Sequence, residues 1–98
     1  MTVYVIAQLR FTDRSAYERY QSRFWGVFRK FEGRLLAADE EPVVLEGRSD
    51  RQKVVLMSFP DADAARRFRE SPEYRGIAVD RKAGADAVVL LVKGCSAE

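Results

Sequence analysis

Ninety-eight residues, 47% hydrophobic and 33% charged, describe one globular domain over residues 1–98 rather than a disordered or two-domain chain. Seventeen Lys and Arg against fifteen Asp and Glu leave a net charge of +2, too little for a strong bulk field. The absence of His and the single Cys exclude His-based triads, His-ligated zinc or haem, a cysteine metal cluster and an intrachain disulfide, so nothing calls for an oxidising compartment.

The run Val3 to Phe11 reads as a strand. Val3, Val5, Ala7, Leu9 and Phe11 share one face; Tyr4, Ile6, Gln8 and Arg10 share the other, which turns polar only at its end. It opens without the basic stretch and cleavage site of a signal peptide. No apolar run nears the roughly 20 residues of a membrane span, so the expectation is a cytoplasmic protein with no membrane partner.

A helix follows, capped by Asp13, or started two residues later by a Ser15–Glu18 capping box. Tyr17, Tyr20, Phe24, Val27, Phe28 and Phe31 fall within an arc of about 100°. Trp25 lies off that stripe, and Gly33 is placed to end the helix.

Arg34 to Asp39 reads as a strand that Glu40-Glu41-Pro42 interrupts with a bulge or break and Val43 to Glu46 resumes. A turn from Gly47 to Gln52 then leads into a strand from Lys53 to Phe59, closing a hairpin. Asp61 or Asp63 caps a second helix running to about Glu70, with Ala62, Ala65 and Phe68 inward. Ser71-Pro72 starts a short helical turn that extends to about Arg81, and Ala85 to Lys93 is the last strand.

The order β-α-β-β-α-β predicts an α+β ferredoxin-like plait: a four-stranded antiparallel sheet with two helices on one face. Two helices cover one face, yet Val55, Met57, Val89 and Leu91 oppose an equally apolar set, Val54, Leu56, Val88 and Leu90. An apolar sheet face left open is unusual in a monomer. The expectation is a homodimer packed sheet to sheet.

Further residues carry a family likeness: Tyr4-Val5-Ile6-Ala7, Asp13 with Tyr17 and Tyr20, Gly33-Arg34, Leu45-Glu46-Gly47, Phe59-Pro60, Ala65, Ser71-Pro72-Glu73-Tyr74, Arg81, and Val92 before Gly94. Over nearly the whole chain this resembles the DUF1330 family of the dimeric α+β barrel superfamily. That family usually shows two glycines before the arginine at Arg34; here the first is Glu32, so the exit from the first helix is expected to differ. The resemblance implies the same plait and dimer. It implies no activity.

A pocket in such a barrel would lie between the sheet and the helices or the partner sheet. Glu46, a carboxylate at the end of an apolar run, is the candidate general base; Arg81 is the candidate to grip it or a ligand anion. Tyr74 and Ser71 are candidate hydrogen-bonding groups for a ligand, and Tyr20 and Trp25 candidate lining. Each has a plainer role: Glu46 with Arg81 as a structural ion pair, Ser71 as a helix cap, Tyr74, Tyr20 and Trp25 as packing. In the arginine cluster Arg66, Arg67, Arg69 and Arg75, helical spacing spreads the first three around the second helix, with Asp63 and Glu70 interleaved, as a solvated face. The Lys53–Phe59 strand lacks the stacking aromatics of an RNA-recognition module, so no nucleic-acid partner is expected. No phosphate loop or dinucleotide fingerprint occurs, and no metal or cofactor is expected. The functional expectation is a cofactor-independent enzyme acting on a small organic anion. The alternative is a non-catalytic small-molecule binding dimer or a structural, stress-linked one.

Overall fold

The computed structural model describes residues 1–95. Its elements are β1 (Val3–Phe11), α1 (Arg14–Phe28), β2 (Arg34–Asp39), β3 (Lys53–Phe59), α2 (Ala62–Arg69), α3 (Pro72–Gly84) and β4 (Ala85–Lys93). The strands form one antiparallel sheet in the order β2-β3-β1-β4, which is the plait the element order predicts.

Helix starts follow local chemistry. Asp13 accepts from the Ala16 N–H and Asp61 from the Ala64 N–H, so Asp13 rather than Ser15, and Asp61 rather than Asp63, are the caps. Ser71 accepts from the Tyr74 N–H with Pro72 at the first helical position. The helical turn expected from Ser71 to about Arg81 is a full 13-residue helix lying against α1, giving three helices rather than two. Its cap and its buried Tyr74, Ile77, Ala78 and Arg81, at 3.6-residue spacing, sustain it. α1 ends at Phe28, five residues before Gly33, because a tighter turn of Lys30 onto Val27 and Phe31 onto Phe28 closes it. Gly33 serves a different purpose: a Cβ there would lie 2.7 Å from the rings of Phe28 and Phe59.

The core lies between the sheet and the helices. Phe28, Phe59 and Phe68 are fully buried, with ring centroids 5.3–6.1 Å apart. Val3, Val5, Ala7 and Leu9 of β1 face it, in register with Phe59, Met57, Val55 and Lys53 of β3. The opposite face carries Ile6 between Leu56 and Leu90, with Val88 and Val92 beside them. Val88, Leu90 and Val92 are 40–47% exposed there, so no element among the described residues covers that face.

The resumed strand at Val43 to Glu46 does not form. β2 ends at Asp39, whose carboxylate accepts from the Glu41 N–H at 2.8 Å and turns the chain out of the sheet. Residues 40–52 run as an exposed loop, and the irregularity in β2 falls between Leu35 and Ala37 rather than at Pro42.

Candidate functional site

A cavity of about 200 Å³ lies between the helix-facing side of the sheet and α1 and α3. The two backbone periods build its wall. Alternate residues Lys53, Val55 and Met57 of β3 stand beside Ala7 and Leu9 of β1. Tyr17, Tyr20, Gln21 and Phe24 share one face of α1, and Tyr74 and Arg81, two turns apart, come from α3. Leu35 and Ala38 of β2, both exposed, complete the lining.

Arg81 is 8% exposed, and its Nε is buried with no hydrogen-bond partner. None of the ion pairs among the described residues involves it. Among the described residues no Asp or Glu lines the cavity, whereas Lys53, Arg69 and Arg81 all do. An unpaired charge out of water costs several kcal/mol unless something compensates it.

The hydroxyls of Tyr20 and Tyr74 are 3.2 Å apart. Whichever accepts keeps its own proton for an outside acceptor. Burial, followed by the Tyr74 hydroxyl, pushes the Tyr20 phenol well above its ordinary range. Burial pushes Tyr17 up to about 12, and the Arg81 charge acts against that rise in both rings. At neutral pH Tyr17 and Tyr20 therefore remain protonated donors.

Lys53 lines the same cavity. Its Nζ donates to Gln21 Oε1 at 3.1 Å, lies 3.6 Å from Glu40 and sits 4.9 Å from the centroid of the Tyr17 ring. Burial lowers its pKa, and Glu40 only partly offsets this. Glu40 is engaged first by Arg14 at 2.7 Å, which holds its carboxyl below the usual carboxylate range.

The structure brings Arg81, Tyr74 and Tyr20 together at the cavity and leaves Glu46, Ser71 and Trp25 out of its lining. Glu46 stands exposed in the 40–52 loop and makes no ion pair with Arg81, because the strand that would have carried it is not formed. Ser71 is the cap beneath Tyr74 and also donates to the Phe68 carbonyl at 2.8 Å. Trp25 is 57% exposed beside Phe28. Arg69, assigned to a solvated face, turns toward the cavity with its guanidinium 5.8 Å from the Tyr74 ring centroid. Lys53 was not foreseen, although it shares the inward parity of Val55, Met57 and Phe59.

Among the described residues no group of three or more Cys, Asp or Glu is placed to hold a metal ion, and no helix is long and apolar enough to cross a membrane. A family model described as "Domain of unknown function (DUF1330)" matches residues 2–95. No curated protein matches the chain by sequence. A protein of unknown function from Rhodopseudomonas palustris, RPA0582, is similar in structure, with a TM-score of 0.80 and 19% identity over 98% of this chain and 84% of that one. SnoaB, a cofactor-independent oxygenase from Streptomyces nogalater, gives 0.69 at 18% identity over 98% of this chain and 95% of its own. A dimeric ferredoxin-like protein of unknown function from Thermobifida fusca gives 0.67 at 16% identity over 93% and 89%. At these identities the likeness is one of fold.

Proposed function

The chain belongs to the DUF1330 family, and on that premise we propose that it is a cytoplasmic homodimer that holds a small organic anion in the cavity between its sheet and helices, with Arg81 as the anion's partner. The observation that carries this reading is the buried guanidinium with an unsatisfied Nε, lining a cavity in whose wall the described residues place no carboxylate. A ligand oxyanion supplies what the chain withholds, and a bidentate grip suits a carboxylate. The Tyr20–Tyr74 pair offers one more donor, and Phe24, Val55 and Met57 an apolar bed for the rest of the molecule. The dimer is supported by the exposed apolar sheet face and by the dimeric state of the Thermobifida fusca protein. The lone Cys95 supports a reducing compartment.

A cofactor-independent reaction is in keeping with the SnoaB fold likeness. The cavity's own chemistry favours gripping and polarising an oxygen-rich ligand over proton abstraction by a carboxylate. Calorimetric titration with salicylate and with its neutral isostere 2-hydroxybenzyl alcohol tests the reading. Salicylate should bind more tightly, by about tenfold or more, and Arg81→Met should remove that preference. Equal affinity for the two compounds, or a preference that survives Arg81→Met, would overturn it.

A further inference from the structure

Lys53 is the one buried lysine of the chain's described residues, and the anion reading leaves it without a task. Its amine shares the cavity lining with the Arg81 guanidinium, and Tyr17 is common to both: Nζ sits over its ring, and the Arg81 charge is felt there. The groups facing Nζ are Gln21 and Tyr17 from α1 and Glu40 from the end of β2, with Arg14 behind Glu40. Arg14 holds Glu40 at 2.7 Å while Lys53 is 3.6 Å away, so Lys53 is the weaker partner of that carboxylate. A buried amine next to an apolar bed and another cationic group is how lysine becomes nucleophilic near neutral pH.

We propose that the anion is a small oxo acid, that Arg81 holds its carboxylate, and that Lys53 Nζ attacks its carbonyl carbon to form an imine. The proposal rests on the anion reading of the cavity and adds the amine to it. The ammonium first releases a proton to solvent. The free amine adds to the carbonyl, and its remaining protons convert the former carbonyl oxygen into departing water as the carbon–nitrogen double bond forms. The step consumes one amine and one carbonyl, releases one water, and needs no oxidant or reductant. The lowered pKa of Lys53 increases its free-amine fraction relative to exposed lysines.

Reductive trapping tests this on the wild-type protein. Incubation with pyruvate and cyanoborohydride at neutral pH, followed by peptide mass mapping, should label Lys53 about ten times faster than the exposed Lys30, Lys82 and Lys93. Arg81→Met should cut pyruvate labelling of Lys53 by about tenfold while leaving labelling by neutral propanal within about twofold, and salicylate should protect Lys53 in the wild type. Labelling of Lys53 no faster than of the three exposed lysines overturns the amine assignment, and does so even where Arg81-dependent salicylate binding persists. Equal pyruvate labelling in wild type and Arg81→Met overturns the oxo-acid assignment. Loss of the salicylate preference in the wild type removes the underlying anion reading instead.

Discussion

Arg81 and Lys53 are charged groups held among apolar neighbours, and the fold has satisfied one far better than the other. Lys53 has Gln21, Glu40 and the Tyr17 ring; Arg81 has an orphaned Nε. Replacing an unpaired buried cation by an apolar group of similar length removes a desolvation cost. Arg81→Met should therefore raise unfolding stability by about 1–3 kcal/mol, read from urea midpoints. A loss of stability would mean that Arg81 is a structural tie. Tyr17 and Tyr20 make a second test. Their folded-state pKa values are raised, to about 12 for Tyr17, whereas phenols in an unfolded chain ionise near 10. Their contribution is thus intact below about pH 10 and drains as the pH climbs towards and past 12, by about 1.4 kcal/mol per pH unit for each ring. Lys53, lowered by burial, works in the opposite direction, but its term is complete by about pH 10.5. The thermal midpoint should fall above pH 10 with phenolate absorbance rising at unfolding, and Tyr20→Phe should shallow that fall. Arg81 and Tyr74 could be singled out from the sequence by their chemistry and their place around the return to the last strand, and Tyr20 by its position on the first helix's stripe. Lys53 could have been found from its parity with Val55 and Met57, but a lysine at a strand's first position ordinarily points to water.

At the level of elements, the site depends on how α1 meets α3. The N–H groups of Thr12 and Asp13 both donate to the Gly84 carbonyl, tying the start of one helix to the end of the other. A Cβ at Gly84 would lie 2.4 Å from the Tyr17 backbone nitrogen, and backbone cannot step aside as a side-chain tip can. Gly84→Ala should cost about 1–3 kcal/mol in denaturant unfolding and weaken salicylate binding, because Tyr17 and Arg81 flank that junction. Gly26→Ala, with open space around it, should be neutral or mildly stabilising in the same assay. The strands β1, β3 and β4 could be bounded from periodicity and punctuation alone. The Val43–Glu46 run could not be placed, since an apolar stretch reads the same in a strand and in a loop that lies bare in the isolated chain. The Asp39 turn that decides the matter is a side-chain event. The reach of α3 to about Arg81 was legible, but that it is a full third helix rather than a turn was not, because its inward set includes a tyrosine and an arginine, which blur the apolar stripe.

Over the whole molecule, the two-sided strands are the feature with the widest reach. The alternation in β3 and β4 foretold a sheet apolar front and back, and the structure leaves Val88, Leu90 and Val92 uncovered around Ile6 and Leu56. A charge placed there would enter the proposed sheet-to-sheet interface but not the core. Leu90→Asp should convert the proposed dimer to a folded monomer by light scattering, with far-UV circular dichroism unchanged. A dimer that survives would place the interface elsewhere.

The cavity and this bare face lie on opposite sides of one sheet. Two copies joined back to back would carry their ligand sites outward, with both sheets between them and no wall in common. Each site would fill without regard to its twin: one ligand per chain, a hyperbolic isotherm, and a Hill coefficient near one.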